Sequence, residues 1–415
     1  MNKTEKIGFY FLLLTTILLS WDYIYGNIAI AVSTAFALYF IVKEKKLKSL
    51  LSVKSFVLTA PFFVYLLGNL NSTDLNYGFS FAGSMASLLV FPIIFIGYKL
   101  SKTQLYKLVI AFVASYTLRS IYAGITIGIK LLTDGFKIRW YFQEISNYGG
   151  FQPAYMGLFS VISLLLLLYL FDRKVAIRPL FFNQKMSKKR EVNSKIYLLL
   201  MIYHLFFLIV LATRMAFLAL ILIVVLYSTT VFVKEKKKRK FIGVGLVLFL
   251  IITGVFVSEN TSLKFKLKQM KNTNGFEYNK YDASGVSSRI AKWRAAINIG
   301  NKHPVFGIGT GDLPKEMMKE FYKLDCLSCK VQKYNNPHNQ YLDSFARNGM
   351  VGVFFLLLML GYSLYDSIKY KNTFYVMFVV MFIVMLLPEC LLNREKGVEV
   401  FAFFNTLFIY HLKNN

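Results

Sequence analysis

The chain has 415 residues, 56% of them hydrophobic and 17% charged, with a mean hydropathy of +0.50 and a net charge of +28. This is more apolar surface than a soluble core of that size can bury, so the composition excludes a soluble globular enzyme. The positive charge falls in short scattered runs with no recognition motif attached, so no nucleic-acid partner is expected.

Apolar runs such as FLLLTTILLS, VISLLLLLYL and AFLALILIVVLY, extended by their neighbours, approach the roughly 17–25 residues a helix needs to cross a bilayer. They are continuous rather than alternating, which excludes a closed barrel. The opening MNKTEKIGFYFLLLTTILLS has the outline of a signal peptide, but no small-residue cleavage site follows, so a retained first helix is expected. About twelve spanning helices are expected, near 7–21, 25–42, 55–69, 79–97, 108–129, 152–171, 196–212, 214–233, 241–258, 349–367, 373–389 and 398–412. The fold class is thus an all-α polytopic membrane protein. Residues 1–258 carry helices one to nine, residues 259–348 form one large hydrophilic loop, and residues 349–415 carry the last three helices. Between Ile196 and Val233 the apolar run is interrupted only by His204 and by Thr213 and Arg214, which implies two crossings with a tight turn and Arg214 at a membrane face.

Orientation follows from the lysines. The connections KEKKLKS, KLSKTQLYK, KEKKKRK and KYKN share one side, whereas WDYIYG and NLNSTDLNYG carry no lysine or arginine. The positive-inside rule puts both termini in the cytoplasm and the 259–348 loop on the outer face. An arginine at a span end often only snorkels to the headgroups, but Arg214 lies on the side poor in positive charge, against that rule.

Within the loop, SSRIAKWRAAINIGNKHPVFGIGTGDLP reads as a helix capped by Ser287 or Ser288, carrying Arg289, Lys292, Trp293 and Arg294, followed by a glycine-rich turn. The glycines match neither the P-loop nor the dinucleotide fingerprint; they form either a tight surface turn or an anion cradle. Further on, NNPHNQYLDSFARNGMVG places His338 after a proline, at the outer end of the tenth span and in the most polar setting of the four histidines. Cys326 and Cys329 form a C-x-x-C on the oxidising side, either a local disulfide or a redox pair; zinc would need two further ligands that are not spaced nearby. Cys390 has no evident partner. Glu389, Arg394, Glu395 and Glu399 cluster between the last two spans, where ion pairing that ties the loop ends together is the expected role and acceptor binding the alternative.

The string HNQYLDSFARNGMVG has a histidine and an asparagine, nine residues, then a glycine, two residues and another glycine. It resembles the signature of bacterial O-antigen ligases within the wider ligase and polymerase superfamily. Arg214 in VLATRMAFLAL, Arg289 in SSRIAKW and the turn HPVFGIGTG match further positions of that family, and the resemblance covers the chain from about Ile196 onward. It implies a fold like GT-C glycosyltransferases in the bacterial inner membrane, with the active site on the periplasmic face. The implied reaction is a metal-independent, inverting transfer with no cofactor, from a glycan on undecaprenyl pyrophosphate to a sugar hydroxyl of the lipid A core. Under that resemblance His338 is the candidate general base, because an imidazole with a pKa near 6.5 can take a hydroxyl proton at neutral pH. Arg214 and Arg289 are the candidate clamps for the leaving pyrophosphate, and Arg294, Lys302 and Asn339 the candidate substrate-binding residues. A polymerase or a protein oligosaccharyltransferase of the same superfamily would need the same groups. A transporter for an anionic lipid would instead show inverted repeats and broken helices near the midplane, and neither is visible.

Overall fold

The computed structural model describes residues 3–21, 23–134, 145, 150–175, 194–211, 213–234, 285–330 and 336–411. Among these, all regular structure is helical: α1 (Lys3–Leu18), α2 (Tyr23–Lys43), α3 (Val53–Leu67), α4 (Leu75–Ser84), α5 (Ser87–Gly97), α6 (Lys102–Asp134), α7 (Pro153–Asp172), α8 (Ser194–Leu211), α9 (Arg214–Lys234), α10 (Gly285–Lys302), α11 (Leu313–Lys323), α12 (Gln340–Lys369), α13 (Thr373–Met385) and α14 (Glu395–His411), with a few single turns between them. Helices occupy every span position the sequence predicts except 241–258, which lies outside the described residues, as do residues 259–284 of the hydrophilic loop.

Among the described residues, six segments are long and apolar enough to cross a membrane: Ile24–Lys43, Val53–Asn71, Leu75–Gly97, Lys102–Thr133, Pro153–Asp172 and Gln340–Lys369. The chain is a membrane protein. Helix α1, with 16 residues, would rise only about 24 Å, and α8, α9 and α13 are also short apolar helices. Helix α7 is central, with nearly every side chain buried, and Phe159 meets both Phe112 and Tyr116 edge to face.

Local chemistry sets the helix ends on the lysine-rich side. The Ser52 side chain caps α3 by accepting the amide of Ser55 at 3.2 Å, and Asn372 caps α13 through the amide of Tyr375 at 3.1 Å. The expected cap at Ser287 or Ser288 is corrected by the structure, because α10 is already helical at Gly285 and both serines lie inside it.

The tenth predicted span and its lead-in are one element, α12, broken at Gly349 with φ 61° and ψ −155°. Only glycine adopts such a backbone without strain. Residues 304–309 fill the break and supply new hydrogen-bond partners on both sides of it. The amides of Met350 and Val351 donate to the carbonyls of Pro304 (2.8 Å) and Val305 (3.2 Å), while those of Ile308 and Gly309 donate to Ala346 (3.2 Å) and Arg347 (2.9 Å). The approach is close enough that a Cβ on Gly349 would lie 2.3 Å from the Val305 carbonyl oxygen. The hydrophilic segment therefore packs down onto α12, over a small core that includes Ala295, Ile299, Met317, Phe321 and Ala346.

Candidate active site

His338 lies just before α12, with φ 48° in the left-handed region, a conformation costing about 1–2 kcal/mol for a non-glycine residue. Its own amide donates to the Asn336 side chain at 3.0 Å, and Asn339, the next residue, caps α12 by accepting the amide of Leu342 at 3.0 Å. Asn339 thus positions the histidine; its side-chain oxygen is already engaged.

The histidine ring meets a carboxylate. His338 Nδ1 lies 2.9 Å from Glu389 Oε1, and Arg289 Nη2 lies 3.5 Å from Glu389 Oε2. Burial pushes the Glu389 carboxyl up, but the His338 hydrogen bond and charge, followed by the Arg289 charge and the Cys390 amide, leave it below its ordinary value. An ionised carboxylate can only accept, so Nδ1 must be the protonated nitrogen when the ring is neutral, and Nε2 carries the free lone pair. The side chains of His338 and Arg289 remain 31% and 37% exposed, so both can be reached from outside.

Glu389 is itself held by a buried network. The Gln340 amide donates to the Leu386 carbonyl at 2.9 Å, its side chain donates to Asn393 Oδ1 at 2.8 Å, and Gln340 Oε1 accepts the Leu392 amide at 3.0 Å. Asn393 Nδ2 then donates to Asp343 (2.8 Å), which also accepts from Arg347 Nε at 2.9 Å. Arg347 is 1% exposed, stands 3.9 Å above the Phe81 ring and donates to the Thr310 carbonyl. The first turns of α12 thereby clamp the connection that carries Glu389.

Lys292 is one turn past Arg289 and 2% exposed. Burial, helped by the neighbouring Arg289 charge and opposed by Glu389, pushes its ammonium down to about 8. Sequence reasoning placed Lys292 on this helix without a role and gave Glu389 an ion-pairing role, with acceptor binding as the alternative. The signal for Glu389 was its place beside Pro388, where an otherwise apolar run stops.

The other expected site residues are distributed differently. Arg214 opens α9, and the adjoining Thr213 borders Gly157 near the start of α7, where the Tyr155 hydroxyl donates to the Leu391 carbonyl at 3.5 Å, two residues beyond Glu389. The backbone of residue 214 is therefore at the end of the bundle where α13 leads into Glu389; the Arg214 side chain lies outside the described residues. Arg294 is exposed and, five residues beyond Arg289, is turned about 140° around α10. Lys302, at the far end of α10, pairs with Glu320 rather than with the His338 cluster. Of the two readings of the glycine turn, the structure supports the structural one. The amides of residues 307–311 are spent on His303, Ala346, Arg347, Gly68 and Ser72, leaving none for an anion. Cys326 and Cys329 are bridged, and Cys390 is a buried free thiol.

Arg289, His338 and the glycine turn that locks α12 all fall inside one stretch that a family model recognises. Residues 196–357 match the O-antigen ligase family. The ligase match also takes in the first turn of α9 but stops short of Glu389. A 143-residue stretch is 28% identical to an uncharacterized protein of Haemophilus influenzae, covering 32% of this chain and 35% of that protein. The chain thus aligns with about a third of the length of that curated relative.

Proposed function

We propose that this protein is a membrane glycosyltransferase of the O-antigen ligase type, which moves a glycan from undecaprenyl pyrophosphate to a sugar hydroxyl of a lipid A core. The observation that carries this reading is the convergence of Arg289 and His338 on Glu389, within and beside the stretch that matches the ligase family. His338 Nε2 takes the acceptor hydroxyl proton while that oxygen attacks the anomeric carbon from the face opposite the pyrophosphate. The bond from the anomeric carbon to the pyrophosphate oxygen breaks, its electron pair leaves with the pyrophosphate, and the configuration inverts. Ionised Glu389 stabilises the imidazolium that forms, as a carboxylate does for a catalytic histidine in acyl transfer. Arg289 and Lys292, with Arg214 from the neighbouring helix end, neutralise the leaving charge without a divalent metal. The lysine-rich connections and the Cys326–Cys329 bridge support placing this chemistry on the periplasmic face of the inner membrane, with both termini in the cytoplasm.

The test is transfer by the purified protein in phospholipid nanodiscs, with lipid-linked glycan, lipid A core and a chelator present. Transfer onto the core that persists in chelator and falls about 10³-fold in His338→Ala is expected. Growth of the glycan on its own lipid carrier would make the protein a polymerase instead. Donor binding without any transfer would overturn the enzyme reading.

A further inference from the structure

The wedge of residues 304–309 ends in an apolar tip. Val305 and Phe306 are 53% and 63% exposed, although they belong to the hydrophilic segment. Their backbone is held in place: the Val305 carbonyl accepts the amide of Val351 at 3.2 Å, and the Gly307 amide donates to the His303 carbonyl at 2.9 Å. The tip has two unlike sides. One borders a polar cleft of about 630 Å³, with Thr73, Lys302 and Glu316 on its walls. On the other, Phe306 joins Phe63, Leu67, Val351 and Phe355 around an apolar groove of about 580 Å³ between α3 and α12, both long and apolar enough to span a membrane. Leu67, Leu70 and Met350, on these two helices, are strongly exposed as well. The exposed apolar surface of the spans therefore continues onto the loop.

Helix length gives the depth of this point. Residues 350–369 of α12 rise about 30 Å from Lys369 on the lysine-rich side. The α3 span, Val53–Asn71, has 19 residues, about 28 Å, and its last residues, Leu70 and Asn71, border the same groove as Phe306. Two helices, each measured from the lysine-rich face, thus cover the roughly 30 Å of a bilayer's hydrocarbon by the level of the tip. We propose that the wedge tip is an interfacial anchor, with Val305 and Phe306 seated in the outer phospholipid leaflet where acyl chains meet head groups. An apolar patch continuous with spanning helices is covered by lipid rather than water, and the polar side, with Lys302 and His303, stays in the aqueous layer as in other amphipathic anchors. The wedge is then pinned twice, to α12 by hydrogen bonds and to the bilayer by its tip, which fixes the Gly349 break at the boundary. Residues 340–349 add at most about 14 Å beyond it, so His338 is held among or just above the head groups. The anchor does not depend on the glycosyltransferase reading.

The experiment uses the full chain in vesicles of phosphatidylethanolamine and phosphatidylglycerol. Nitroxide labels are attached to Val305→Cys and to Phe306→Cys, with Leu70→Cys as the lipid-facing reference and Tyr322→Cys, exposed on α11, as the aqueous one. The native cysteines, two bridged and one buried, are not available to the label. Collisions with dissolved oxygen, which concentrates among acyl chains, are compared with collisions with a water-soluble nickel chelate. Labels at 305 and 306 are expected to follow Leu70→Cys, with oxygen collisions dominant. Behaviour like that of Tyr322→Cys places the tip in water and overturns the anchor. A second measurement uses the unmodified protein and a phospholipid with a diazirine near the ester end of its acyl chain, with labelling mapped by peptide mass spectrometry. Residues 304–307 are expected to be labelled as strongly as residues 67–71. Labelling of 67–71 alone overturns the anchor, and neither readout requires any transfer activity.

Discussion

Helix α10 meets two largely buried carboxylates, Glu389 toward its start and Glu320 toward its end, and the protein treats them differently. Glu320 is saturated by Lys302, Lys323 and Asn298, and although burial pushes it up, those three donors hold it down at about 2. Glu389 is shared between a titratable ring and an arginine, both partly exposed. Three permanent donors make Glu320 a brace between α10 and α11. A carboxylate that shares a histidine fixes which ring nitrogen is free and leaves that nitrogen open to a substrate. The difference between bracing and chemistry lies in the partners, because the residue type is the same.

Several substitutions sharpen or break that contrast. The largest effect is expected for Glu389→Gln, which can still hydrogen-bond His338 but no longer enforces its tautomer or stabilises its charge. Turnover should fall about 10²-fold or more with little change in acceptor KM, measured by initial rates of transfer. Arg289→Ala should raise the donor KM about tenfold to a hundredfold, with partial rescue by lysine, since a point charge replaces part but not all of a guanidinium fork. A smaller effect belongs to Lys292. With its ammonium at about 8, raising the pH from 7 to 9 removes one cation from the donor site, and donor affinity should fall about tenfold. Lys292→Arg should abolish that fall, and an unchanged pH profile would separate Lys292 from the donor.

The smallest effect on activity is expected at Glu320→Gln, with transfer within about twofold of wild type and a lowered melting temperature. Its stabilising effect has a defined pH window. Because the folded carboxyl titrates near 2, below its unfolded value of 4.5, the stability it contributes is present above 4.5 and is lost as pH falls toward 2. Wild type should therefore lose more stability than Glu320→Gln over that window, read from melting curves. Loss of transfer in Glu320→Gln without unfolding would show that both carboxylates serve the chemistry.

The spans were legible because apolar runs of bilayer length need no tertiary information, and helices appear at those positions wherever residues are described. His338 and Arg289 were singled out by their resemblance to a family's motifs, although nothing in those motifs said that they meet. Glu389 was not, because its role depends on a clamp from Gln340, more than forty residues earlier in the chain. The break at Gly349 was equally hidden. Periodicity runs through it unchanged, and only the carbonyls of Pro304 and Val305, distant in sequence, reveal why the helix stops and restarts. Lys302 shows the opposite limit: a basic residue near a glycine turn reads as a ligand, yet it sits at the other end of its helix, paired with Glu320.

The loop wedged into α12 also makes its bend the joint property of two segments of the chain. Residues 304–309 supply the carbonyls that the amides of Met350 and Val351 need, and Gly349 supplies the missing Cβ that lets those carbonyls approach. A side chain at position 349 would therefore push on the loop as much as on the helix, and the turn that carries His338 would shift with them.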